Sequence, residues 1–101
     1  MGQTSTITDS QGAALLWLRK VGGRASTNGQ GYVATGKEVC PVLLAAFSYL
    51  AKRGLVMLET QTAGAIPVYA VTITAAGRTH TITTASERRL YDLQKRSFGH
   101  A

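Results

Sequence analysis

Hydrophobic and polar positions repeat along this chain with two different periods, and the change of period divides it into elements. Over residues 10–21 the apolar positions recur every three to four, so Ala14, Trp17, Leu18 and Val21 share one side with Leu15 at its margin. Arg19 and Lys20 lie opposite, near a C-terminal end that favours cations. Asp9 or Ser10 can cap this first helix, and Gly22-Gly23 stops it. A second strongly helical stretch covers 41–53. Leu43, Ala46, Phe47 and Leu50 face one way, while Pro41, Ala45, Ser48, Tyr49 and Lys52 face the other. Pro41 suits a first helical turn, where its missing N–H costs nothing, and Gly54 ends the stretch.

From residue 55 the period drops to two. Residues 55–61 and 68–74 read as strands, most clearly where Tyr69, Val71 and Ile73 alternate with Ala70, Thr72 and Thr74. The segment 62–67 turns between them. Thr74 can cap a turn over 75–78, and the β-branched run 79–84 stalls any helix that follows. Thr84-x-x-Glu87 is a capping-box pattern that opens a last helix over 85–97. Its apolar side is Leu90 and Leu93, flanked by Tyr91 and Phe98.

Residues 22–36 follow neither period and hold five glycines, so they read as irregular, with room for a very short strand at Tyr32-Val33. Thr35-x-x-Glu38 is another capping-box pattern, which predicts a short helix from near Gly36. Pro41 discourages continuous helix through Cys40 and would separate that short helix from the next.

Composition narrows the function. A chain of 101 residues with 45% apolar content has room for one modest core. Eleven Lys and Arg against five Asp and Glu give a net charge of +6, which favours a polyanionic partner such as nucleic acid. Cys40 is the only cysteine, so an intrachain disulfide is excluded. Residues 1–10 have neither the basic nor the apolar region of a signal peptide, and no apolar run reaches the ~20 residues of a membrane span, so a cytoplasmic location is expected.

Chemical motifs are few. The run from Gly31 to Lys37 matches the start of a phosphate-binding loop, but Glu38 stands where a Ser or Thr should hold magnesium. His80, His100 and Cys40 have no metal-ligand spacing, and the carboxylates form no acid–base pair. The expectation is therefore a protein with no catalytic residues, no metal, no cofactor and no small-molecule effector.

Two local motifs carry a family resemblance. Leu50-x-x-Arg53-Gly54-Leu55-Val56 resembles the end of the recognition helix in MarR-like, PadR-like and ArsR-like regulators. Tyr69-x-Val71-x-Ile73-Thr74-x-x-Gly77-Arg78 resembles the segment that follows their second wing strand. The resemblance implies an α+β winged helix-turn-helix, three helices plus a β-hairpin wing over residues 1–84, with an extra C-terminal helix over 85–101. It implies a double-stranded DNA-binding protein, a transcriptional regulator or a phage- or plasmid-type accessory factor. Carried over, Ala45, Ser48, Tyr49 and Lys52 would face bases. Lys37 would touch a phosphate, and Arg78 with the wing residues Gln61 and Thr62 are further candidates for DNA contact, the wing meeting backbone or minor groove. Such regulators are usually homodimers, and Leu90, Tyr91, Leu93 and Phe98 form the candidate dimer surface, the alternative being that this helix folds back on the first helix of its own chain. The helix face offers one Lys and no Arg, Asn or Gln, and the hairpin loop no cation. A protein-interaction module that does not read DNA is the alternative.

Overall fold

A computed structural model describes residues 7–27, 32–35, 38–62 and 67–98. The chain runs α1 (Asp9–Lys20), β1 (Arg24–Thr27), β2 (Tyr32–Ala34), β3 (Val39–Leu43), α2 (Leu44–Lys52), β4 (Val56–Thr62), β5 (Pro67–Ile73), α3 (Ala75–Thr79) and α4 (Thr84–Phe98). The strands form a five-stranded antiparallel sheet in the order β3-β2-β1-β5-β4.

Period-two alternation gives the sheet two different faces. Val33, Cys40, Val42, Val56, Val71 and Ile73 join the core with Trp17 and Leu18 of α1, Phe47 and Leu50 of α2 and Leu90 of α4. Arg24, Ser26, Tyr32, Val39, Met57 and Glu59 occupy the alternate positions and are exposed. The result is two layers, with helices on one face of the sheet and an open face opposite. Thr27 is buried on the helix side, and its hydroxyl accepts the Tyr69 N–H at 3.0 Å, so its polar group is satisfied.

The helix ends follow from local chemistry. Thr8 caps α1, one residue before Asp9, in a reciprocal capping box with Gln11. At the other end Gly22 and Gly23 adopt φ of +100° and +90°. Their N–H groups return to the carbonyls of Arg19 at 3.2 Å and Leu18 at 2.8 Å. The same closure ends α2: Gly54 has φ +77°, its N–H bonds Ala51 at 3.0 Å, and the Leu55 N–H bonds Leu50 at 3.0 Å. Both are Schellman caps, in which a left-handed residue returns two N–H groups to the last turn. Thr83 caps α4, accepting the Ser86 N–H at 3.1 Å, one residue before the sequence pattern indicates.

This architecture overturns the winged helix-turn-helix expectation. The short helix predicted from near Gly36 is not found among the described residues: Glu38 is irregular, Val39–Leu43 is strand, and α2 begins at Leu44 rather than residue 41. Val39, Cys40 and Val42 suit a pleated, half-buried surface. Pro41 is tolerated because β3 is an edge strand. The Thr35-x-x-Glu38 pattern does form bonds, but across a strand connection. The Thr35 N–H donates to the Glu38 carbonyl at 2.8 Å, and the Glu38 N–H to Thr35 Oγ1 at 3.3 Å. β4 and β5 are no projecting wing, since β5 also pairs with β1 through Arg24↔Thr72, Ala25↔Val71 and Ser26↔Ala70. The fold is a five-stranded sheet with helices on one side, not a three-helix bundle with a hairpin.

The last helix packs on α1. The ideal Cβ position on Gly12 lies 2.0 Å from Ser86 Oγ, a contact only glycine allows, and Arg89 Nε donates to Ser10 Oγ at 3.3 Å. Leu90 is 1% exposed, and Leu93 packs against the same core.

Cys40 faces the core beneath α1. Burial pushes its thiol up to about 12, with the Val42 N–H donating to Sγ as a weaker opposing effect. The reactive thiolate is therefore scarce at neutral pH. A thiol-specific chromophoric reagent at pH 8 is expected to label Cys40 at the rate of unfolding, and fast labelling of the native protein would contradict this burial.

Candidate functional site

Three segments distant in sequence meet at one end of the molecule. The first is the end of α1 with the turn into β1, residues 19–24. The second is the end of α2 with the turn into β4, residues 52–55. The third is α3 with its flanks, residues 74–80. Backbone bonds join them. The Ile73 N–H donates to the Gly23 carbonyl at 2.8 Å and the Thr74 N–H to the Leu55 carbonyl at 3.1 Å. Thr74 Oγ1 donates to the Gly54 carbonyl at 2.7 Å and accepts the Gly77 N–H at 3.1 Å, so one hydroxyl caps α3 and fastens it to the α2–β4 turn.

Arg19 completes the junction. Its guanidinium donates to the Gly77 carbonyl through Nε at 3.1 Å and through a terminal nitrogen at 2.7 Å, and also to the His80 carbonyl. A fork of fixed donors suits two carbonyls at the end of a short helix. Arg19 is half-buried and structural, which its sequence position opposite the apolar stripe did not reveal.

These segments contain Arg19, Lys20, Arg24, Lys52, Arg53, Arg78 and His80, and no Asp or Glu. Lys20, Arg24, Lys52, Arg53 and Arg78 are exposed, and none is paired with a carboxylate among the described residues. Arg78 lies over Gly23, its guanidinium nitrogen 2.9 Å from the ideal Cβ position there. The C-terminal ends of α1 and α2 also converge here, so their partial negative charges offset part of the cationic field.

Tyr49 gives this end an aromatic element. It is 50% exposed on α2, with Lys52 Nζ 5.9 Å and Arg53 Cζ 5.7 Å from its ring centroid. Both distances fall within cation–π range. A ring flanked by two exposed cations can present a flat apolar surface and two phosphate-binding groups together.

Of the residues singled out from sequence, Lys52 and Arg78 belong to this end and Tyr49 borders it. Ala45 is exposed and Ser48 half-buried on the same helix. Gln61 and Thr62 lie on β4 by backbone position, at the far end of that strand from Gly54, and Lys37 lies outside the described residues. Of the four α4 positions, Leu90 and Leu93 are used in packing within the chain, Tyr91 is 63% exposed, and Phe98 ends the helix by backbone position. Sequence reasoning missed Lys20, Arg24 and Arg53 because they belong to different segments. The available signal was that all three flank a helix-ending glycine, where segments from different elements can meet.

The open face of the sheet carries a shallow hollow of about 290 Å³ over Arg24, Ser26, Ala34, Ala70 and Thr72. The small side chains of the central strands make the middle of that face low. Among the described residues no group of His, Cys, Asp and Glu is placed to hold a metal, and no helix is long and apolar enough to cross a membrane. No protein-family model, curated protein or solved structure matches the chain.

Proposed function

We propose that this protein binds double-stranded DNA at the basic end, chiefly through the phosphate backbone. The observation that carries the reading is the convergence of five exposed, unpaired Lys and Arg side chains from three segments that contain no carboxylate. Clustered cations of one sign raise the local concentration of a polyanion and supply its contacts. Tyr49 between Lys52 and Arg53 adds a ring that can lie against sugar or base. Direct base reading has little support, because the exposed side of α2 has no side chain that pairs bidentately with guanine or adenine apart from the cations at its end. Binding is therefore sequence-tolerant, or it follows DNA shape. A regulatory or accessory role on DNA is the corresponding biological reading.

The test is a duplex titration at several salt concentrations. Neutralising three to four phosphates predicts a slope of roughly −3 to −4 in log K against log salt. Absence of binding at low salt, or binding indifferent to salt, removes the proposal. The second reading is a protein-interaction module, favoured by Tyr32, Val39 and Met57 exposed on the open sheet face. It predicts no duplex affinity at low salt.

A further inference from the structure

The two edges of the sheet differ in how they meet a second strand. β3 forms one edge, and it carries Pro41 and a register irregularity against β2, both of which obstruct further pairing. β4 forms the other, and it pairs with β5 without interruption from Val56↔Ile73 to Thr62↔Pro67. β4 contains no proline, lysine or arginine, and its one charge is Glu59. Edge strands of this length usually carry such obstructions.

The direction of the free backbone groups can be read from their neighbours. The Ile73 N–H bonds Gly23, on the side of β5 away from β4. Its partner Val56 therefore makes no ladder bond to it, and by alternation the N–H and C=O groups of Val56, Leu58, Thr60 and Thr62 point out from the edge. These four residues present a self-complementary row of donors and acceptors.

We infer that β4 pairs antiparallel with β4 of a second copy of this chain, making one continuous sheet across a dimer. Charge removes one register, and apolar cover favours the one beside it. The register with most overlap sets Glu59 against Glu59 of the other copy, and like charges directly opposite are destabilising. Shifting the sum of paired residue numbers down by two places Leu58 against its own copy on the helix side and Met57 against Glu59 on the open side. Met57 is 53% exposed and Leu58 partly exposed, so both gain cover. Antiparallel pairing also keeps the two basic ends apart. Gly54 falls level with Thr62 of the second copy, so the two Gly54 positions stand ~27 Å apart along the strands at ~3.4 Å per residue. Repulsion between the ends is thereby limited. The pairing does not rest on DNA binding.

Sedimentation of the full chain without DNA over a range of concentrations tests this. A discrete dimer is expected. Thr60→Pro deletes an outward N–H and leaves the β4–β5 ladder intact, so it should weaken the dimer roughly ten-fold or more, whereas Thr60→Ala leaves it unchanged. Circular dichroism checks that Thr60→Pro folds. As an independent measurement, oxidised Leu58→Cys should yield a disulfide-linked dimer, because paired Cα atoms of ~5.5 Å suit a disulfide. Lys20→Cys, exposed on α1, should not. A monomer at all concentrations, a dimer insensitive to Thr60→Pro, or no selective cross-link at Leu58→Cys overturns the inference.

Discussion

Gly77→Ala is expected to lower the unfolding free energy by about 3 kcal/mol, at the upper end of what overpacking usually causes. An ideal Cβ at this position lies 2.0 Å from the Leu55 carbonyl oxygen and 2.7 Å from Ile73 Cγ1. The nearer obstacle is backbone, so no side-chain rotation relieves it. The residue is also the junction of the basic end: its N–H is held by Thr74 and its carbonyl by Arg19. Moving α3 outward to admit a methyl group would stretch both bonds. For a domain of this size the change corresponds to a fall in Tm of roughly 12–24 °C. Thermal unfolding followed by circular dichroism measures it, and a Tm within a few degrees of the parent would show that α3 does not sit against the α2–β4 turn. Gly54→Ala is a useful comparison. Nothing lies within 4 Å of its ideal Cβ, so its cost comes only from φ +77° and should be near 1 kcal/mol.

The second large effect is on binding. If the basic end holds DNA, Lys52→Glu with Arg53→Glu should reduce duplex affinity by about two orders of magnitude at low salt. The salt slope should fall in magnitude by about 2, one for each lost phosphate contact. Both residues are exposed, so the double variant should remain folded. Arg88→Glu with Lys95→Glu, two exposed positions that together change net charge by the same amount, is the control. It changes net charge on α4, outside the three converging segments, and should weaken binding only slightly because of screening. Equal losses in the two variants would mean that net charge, rather than this cluster, governs affinity. A folded double variant with parental affinity would remove Lys52 and Arg53 from the interface.

The resemblance to regulator motifs has a physical origin that does not require their fold. Leu50-x-x-Arg53-Gly54-Leu55-Val56 is a helix, a Schellman cap and the start of a strand, and the observed bonds show that sequence of events. Thr74-x-x-Gly77 is an N-cap followed by a residue that must approach a backbone carbonyl. Any fold that passes from helix to edge strand, and from strand to short helix, can use the same residues. The motifs specify local geometry, and here that geometry serves a five-stranded sheet instead of a winged helix-turn-helix.

What the sequence determined by itself was local: where α1, β4, β5 and α4 lie to within a residue or two, which glycines end α1 and α2, and which side of α1 is buried. Those features depend on capping, glycine conformation and periodicity within a few residues. Tertiary structure decided the rest. Residues 39–43 follow the capping pattern of Thr35 and Glu38 and carry Pro41, both of which favour helix, yet they are strand, because β2 offers backbone partners and the core takes Cys40 and Val42. The basic end was equally hidden. Lys20, Arg24, Lys52, Arg53 and Arg78 are spread across most of the chain, and only the bonds among Gly23, Gly54, Leu55, Ile73 and Thr74 bring their segments together. Strand pairing and charge convergence join residues far apart in the chain, so no local window of sequence contains either of them.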